Sequence, residues 1–169
     1  TLIEKYSKAE DQPKREQHIN RIKSSVSHLT EILEEFLSVG KLEDGKLEIH
    51  PSEFSIQDFL QDILSDFSTY NQSIRVELEA DFTCFQDVSI LRKVIFNGLS
   101  NALKFSQKEV VLSVFQEGTQ VVITIKDQGI GISEEDQKHL FERFFRGGNA
   151  TVIQGTGLGL HLIDRYKRR

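Results

Sequence analysis

Cysteine is nearly absent from this chain: Cys84 is the one thiol among 169 residues. A lone thiol makes no internal disulfide and no cysteine-cluster metal site, so Cys84 is expected to be a small buried hydrophobe in a reducing compartment. Long apolar runs are missing too. No stretch approaches the roughly 18 consecutive apolar residues of a membrane-spanning helix, and no secretory leader precedes the first helix. The expected location is therefore cytoplasmic, with a membrane-anchored parent still compatible with the sequence. Nor is there an excess of positive charge, since 21 lysines and arginines meet 26 acidic residues, giving a formal charge of −5. Such a balance offers no general attraction for phosphate backbones or anionic lipid, which argues against a nucleic-acid partner. The basic run Arg165-Tyr166-Lys167-Arg168-Arg169 reads as a solvated tail. Internal repeats and low-complexity tracts are absent. The length suits one ordinary domain with an appendage.

Two regions follow along the chain. From Ile19, the residues Ile22, Val26, Leu29, Leu33 and Phe36 recur at alternating steps of three and four, which keeps them on one helical seam that calls for a partner helix. Upstream, Leu2, Ile3 and Tyr6 resemble the end of another helix, and Pro13 suits the first turn of the next, where its missing N–H would lack an intrahelical partner anyway. The reading is a helical hairpin over residues 1–46 with a shortened first arm, closed by the charged linker Lys41-Leu42-Glu43-Asp44-Gly45-Lys46.

Residues 47–169 mix strands and helices. Ser55 with Asp58 has the form of a capping box before Ile56, Phe59, Leu60, Ile63, Leu64 and Phe67 at helical spacing. Ile74, Val76 and Leu78 alternate with charged residues, the period of a half-buried strand. A second helix is expected from Asp87 to Ser106. Val110–Phe115 and Val121–Lys126, both β-branched, flank Gln116-Glu117-Gly118-Thr119 as a hairpin, with both strands expected to be central. A third helix is expected over Gly155–Tyr166.

On the second helix Asn97, Asn101 and Lys104 stand at i, i+4 and i+7, one stripe apart from the apolar arc Leu91, Val94, Ile95, Leu99 and Ala102. An exposed polar face explains such a stripe as well. Yet asparagine is a mediocre helix former, an amide oxygen can ligate Mg²⁺, and Lys104 adds positive charge beside phosphates. Asp127-Gln128-Gly129-Ile130-Gly131 falls where a strand ends, and its glycines allow backbone to approach a ligand closely. The Asp127 carboxylate can accept a hydrogen bond from an exocyclic amine such as that of adenine, although Asp-x-Gly turns are also common structural features. Gly155-Thr156-Gly157-Leu158-Gly159-Leu160 opens a helix, where free N–H groups and the helix dipole favour an anion. No Gly-Lys-Ser/Thr follows and no strand directly precedes, so this is neither a Walker loop nor a dinucleotide fingerprint. Between the glycine motifs, Phe141-Glu142-Arg143-Phe144-Phe145-Arg146-Gly147-Gly148 reads as a mobile lid, with core packing of its phenylalanines the competing explanation.

In their order, Asn97/Asn101/Lys104, Asp127-x-Gly129-x-Gly131, Phe141–Phe145 and Gly155-x-Gly157-x-Gly159 resemble the N, G1, F and G2 boxes of sensor histidine kinases of two-component systems. The heptad helix resembles the second helix of that family's dimerisation and phosphotransfer hairpin. The resemblance implies an α+β fold, a two-layer α/β sandwich of the Bergerat type with a mixed sheet on three helices, binding ATP and Mg²⁺. It assigns magnesium to Asn101, phosphate support and catalysis to Asn97, Lys104 and Arg146, and nucleotide contacts to Phe105, Asp127, Gly129, Gly131, Ile132 and Phe144. Gly155, Thr156, Gly157, Leu158, Gly159 and Leu160 would wrap the phosphates.

Two departures qualify the resemblance. The family's acceptor histidine carries an acidic residue after it and then a proline; none of the five histidines, His18, His28, His50, His139 and His161, has that context, and each reads as structural or surface. The family's usual last pair of strands also has no counterpart before Arg169. The expected function is transfer of the γ-phosphoryl group of ATP to a histidine on a separate hairpin. Expected partners are that hairpin, a response-regulator receiver acting through the parent, and a second copy through the helical hairpin. The competing functions are an ATP-driven clamp of the gyrase, heat-shock chaperone and mismatch-repair superfamily, and a non-catalytic dimerisation module.

Overall fold

A computed structural model describes residues 12–43, 48–68, 70, 73–150, 153 and 155–167. Helix α1 runs Gln12–Glu43, with Pro13 in its first turn as its ring geometry favours. The expected seam is there but uncovered: Ile22, Val26, Leu29, Leu33 and Phe36 are each more than half exposed. The expected first arm and the Asp44-Gly45-Lys46 part of the linker lie outside the described residues. Among those described, no helix is long and apolar enough to cross a membrane.

The remaining elements are β1 (Ser52–Ser55), α2 (Ile56–Ser65), β2 (Ile74–Leu78), β3 (Thr83–Gln86), α3 (Val88–Phe105), β4 (Val110–Glu117), β5 (Gln120–Lys126), the single turn α4 (Glu134–Gln137) and α5 (Gly159–Lys167). The Ser55 hydroxyl accepts the Asp58 N–H at 3.1 Å, as the capping pattern requires. Asp81 reinforces the cap from 24 residues beyond Gln57, accepting the Gln57 N–H at 3.1 Å. Ile56, Phe59, Leu60 and Ile63 then form the buried face of α2.

β2 pairs with β4 in parallel, the crossover that a long connection containing a helix makes possible, and β4 pairs antiparallel with β5. The order β2-β4-β5 makes β4 central, while β5 is an edge strand among the described residues, contrary to the expectation that both hairpin strands are central. Their side chains register the difference. Val110, Leu112 and Val114 of β4 are fully buried, whereas Ile123 and Ile125 of β5 are only partly so. A second, two-stranded sheet of β1 and β3 was not expected from the sequence, because neither segment is longer than four residues.

One apolar cluster joins Ile56, Phe59, Leu60 and Ile63 to Ile95, Leu99 and Leu103 of α3 and to β4, so helices and sheet form the two layers of an α+β sandwich. Cys84 belongs to it at 5% exposure, and its burial raises the thiol's pKa, as fits a packing role. A second cluster gathers Leu158, just before α5, with Leu162 and Tyr166 of α5 against Val39 of α1 and Ile90 and Val94 of α3. Two helices thus hold the start of α5 in place.

Candidate functional site

Asp87 sets the position of α3. Its carboxylate accepts the N–H groups of Ser89 at 2.9 Å and Ile90 at 3.1 Å, an N-cap, and also the N–H of His50 at 2.7 Å. Burial works to raise this carboxyl, but the donors from His50, Ser89 and Ile90 outweigh it and hold the pKa at about 2. From that anchor α3 runs beside a cavity of about 870 Å³. Asn97, Asn101, Lys104 and Phe105 all line it, so the polar stripe faces a concave space rather than open solvent.

At the C-terminal end of α3 the loop after β5 closes in. Asp127 accepts the Gly129 N–H at 2.8 Å through one oxygen, which leaves the other for a ligand. The Ile130 N–H donates to the Phe105 carbonyl at 3.3 Å, and a Cβ on Gly129 would lie 2.4 Å from that same carbonyl. Only glycine lets this loop approach so closely. Gly131, at φ +66°, and Ile132 complete the loop, and Asp127, Gly129, Gly131 and Ile132 all line the cavity.

The second glycine loop arrives from the other side. Gly155, Thr156, Gly157, Gly159 and Leu160 line the cavity, and α5 starts at Gly159 rather than at Gly155, leaving the glycine stretch as a loop. A Cβ on Gly159 would stand 3.6 Å from both the Asn101 and the Asn97 side-chain amides. The positive end of the α5 dipole and two amides therefore flank one volume, an arrangement suited to phosphates.

The segment Phe141–Gly148 lies across this volume. Phe141 and Phe144 are more than half exposed, which rules out core packing for them, while Phe145, Arg146 and Gly147 line the cavity. The Arg146 guanidinium donates to the carbonyls of Ala150 at 2.8 Å and Ile153 at 2.5 Å. In this conformation it braces its own segment while bordering the site. The segment has more order than an irregular loop, with α4 before it and a 3₁₀ turn at Gly148–Ala150.

Two sequence candidates stand apart. Phe144 does not line the cavity, and Leu158 is 1% exposed within the second apolar cluster, so its side chain seats the loop. Conversely, Lys93 lines the cavity without having been singled out. It precedes Asn97 by four residues, so extending the i, i+4 stripe one turn backwards finds it. Arg92 borders the cavity too, but it is paired with Asp62 and Asp66 of the α2 region. Among the histidines, His161 is buried at 8% exposure, as a structural role requires.

Residues 86–169 match the model of the family described as histidine kinase-, DNA gyrase B-, and HSP90-like ATPase. The sensor protein GacS of Pseudomonas syringae pv. syringae is 30% identical over 172 residues, covering 94% of this chain and 19% of GacS. The sensor histidine kinase RcsC of Escherichia coli K12 is 31% identical over 160 residues, covering 87% of this chain and 16% of RcsC. This chain thus spans about a fifth or less of either relative. In structure it resembles the histidine kinase AdeS of Acinetobacter baumannii, with a TM-score of 0.72, 20% identity and coverage of 88% of this chain and 71% of AdeS. Full-length ShkA, solved in complex with AMPPNP, gives a TM-score of 0.77 at 21% identity, covering 92% of this chain and 34% of ShkA. At these identities the structural likeness is one of fold.

Proposed function

We propose that this chain, whose residues 86–169 match the histidine kinase-, DNA gyrase B- and HSP90-like ATPases and whose relatives include sensor histidine kinases, is the ATP-binding catalytic part of a sensor histidine kinase. The observation that carries this reading is one cavity bordered by Asp127 at one end of α3 and by Asn97, Asn101 and the start of α5 along its length. Adenine rests against the Asp127 loop, and its amine donates to the free carboxylate oxygen. The triphosphate runs back along α3 toward Asn97, within reach of the N–H groups opening α5.

The residues present fit magnesium in a particular way. Among the described residues no group of three His, Cys, Asp or Glu side chains could hold a metal, whereas Asn101 borders the phosphate region. Asn101 would hold Mg²⁺ together with the triphosphate, and the ion would supply charge neutralisation at the phosphate oxygens. Asn97, Lys104 and Arg146 position the phosphates. Phosphoryl transfer depends chiefly on such positioning and charge stabilisation. The acceptor is a histidine on a separate hairpin, which approaches the γ-phosphorus in line. Residues 1–46 act as part of the dimerisation hairpin and 47–169 as the catalytic domain, and the phosphohistidine serves a response-regulator receiver.

The test is radiolabelled ATP with this chain, alone and with a hairpin bearing the acceptor histidine, followed by acid and base treatment. Base-stable, acid-labile label on the supplied hairpin, rising with its concentration, is expected. ATP binding without label on any hairpin would favour the clamp or the inactive module, and steady hydrolysis coupled to dimer closure would identify the clamp.

A further inference from the structure

We propose that His161 is a positioning residue that fastens the first turn of the lid, Phe141–Phe145, to α5 and so governs how long nucleotide is retained. This deepens the ATP-binding reading and rests on it. The His161 Nδ1 lies 2.8 Å from the carbonyl oxygen of Phe141, 20 residues earlier. A carbonyl only accepts, so the proton sits on Nδ1, and Nε2 is left buried with no partner among the described residues. An aliphatic side chain at this position would avoid that orphaned acceptor. What it would lose is the bond to Phe141.

That bond ties the turn to α5, whereas the Glu142 N–H donates within the segment to the His139 carbonyl at 2.9 Å and the His139 ring meets the Glu142 carboxylate at 2.7 Å. Phe141 and Phe144 are 51% and 61% exposed, so apolar burial does not secure them. Phe144 adopts φ +60°, a conformation that costs a non-glycine residue energy and persists only where surroundings impose it. The backbone of Gly157 packs closely against this turn: a Cβ on it would lie 2.7 Å from the Phe144 carbonyl carbon and from the Phe145 carbonyl oxygen. The far end of the segment is tied elsewhere, with Asn149 donating to the Gly131 carbonyl at 3.1 Å and the Gly148 N–H to Asp136 at 3.3 Å. Between the two attachments lie Phe145, Arg146 and Gly147, which border the cavity. His161 thus clasps the lid to the helix whose N-terminus faces the phosphates, and Asn149 clasps it to the adenine loop.

The test uses the full chain and three variants. His161→Asn places an amide N–H near the position of Nδ1, His161→Gln places it near Nε2, out of reach of Phe141, and His161→Leu removes it. Calorimetry with MgATP and trypsin cleavage after Arg143 and Arg146, with and without MgATP, are the readouts. The Gln and Leu variants should bind ATP about 3–10-fold more weakly, as expected for one lost hydrogen bond, and lose ATP-dependent protection at both arginines. His161→Asn should restore both to within about twofold, which loss of packing alone would not produce. If His161→Leu fails to melt cooperatively, the Asn and Gln pair decides. Unchanged affinity and protection in the Gln variant, or equal damage in Asn and Gln, would overturn the clasp while leaving the nucleotide reading intact. No ATP binding by the unmodified chain would remove both.

Discussion

The carboxylate of Asp87 accepts the backbone N–H of His50 at 2.7 Å across 37 residues, joining the approach to β1 to the first turn of α3. The same carboxylate caps α3 through the N–H groups of Ser89 and Ile90. Asp87→Ala should therefore cost roughly 1–2 kcal/mol at neutral pH, more than an ordinary exposed cap. Its pKa is held at about 2, below the ordinary 3.8, so its contribution is complete above about pH 4 and disappears as pH falls through 2. Denaturant melts of parent and variant should differ at pH 6 and converge toward pH 2. A difference that stayed constant with pH would show that the carboxylate's charge is not what stabilises the cap.

Asp127→Asn is expected to weaken ATP while sparing the fold. The asparagine carbonyl can still accept the Gly129 N–H, now at 2.8 Å from the carboxylate, but its amide N–H₂ then faces the adenine amine, donor against donor. The loss should be about 1.5–3 kcal/mol, roughly 10- to 150-fold in the dissociation constant by calorimetry. Parent-like affinity would remove Asp127 as the adenine reader.

Lys93 should matter to ATP more than to ADP. Along α3 it stands twelve residues before Phe105, about 18 Å at the helical rise, which places it toward the γ-phosphate when adenine sits at the Asp127 end. An exposed cation there contributes at most about 1 kcal/mol, so Lys93→Ala should weaken ATP about fivefold and ADP less than twofold. Equal losses for both nucleotides would place Lys93 away from the γ-phosphate.

Gly157→Ala should be costly and Gly155→Ala mild. Gly157 has φ +75° and its new Cβ would collide with the backbone of Phe144 and Phe145, whereas a Cβ on Gly155 meets nothing within 4 Å. The left-handed conformation alone costs alanine about 1–2 kcal/mol, and relief of the clash must displace the lid. Thermal melting should fall by several degrees for Gly157→Ala and hardly at all for Gly155→Ala, with ATP binding reduced at least tenfold in the former. Similar melts for the two variants would refute the close approach.

The sequence by itself determined most of the local structure and nearly all of the candidate residues, because these depend on short-range physics. Ser55 and Asp87 announce helix starts, β-branched runs flanking Gly118 announce the hairpin, and spacing alone puts Asn97, Asn101 and Lys104 on one stripe. The order of the glycine motifs points to the family independently of the fold. What spacing does not encode is which elements become neighbours, and there the tertiary structure decided. It made β5 an edge among the described strands, because strand order follows from pairing rather than from composition. It paired β1 with β3, segments too short to show a period, and supplied Asp81 as a remote partner for the α2 cap. It drew Leu158 out of the phosphate loop's contacts and into the apolar cluster with Val39, and it set Lys93 beside the cavity. It also brought the ring of His161 to the carbonyl of Phe141, a bond between residues 20 apart whose existence depends on how α5 packs against the lid.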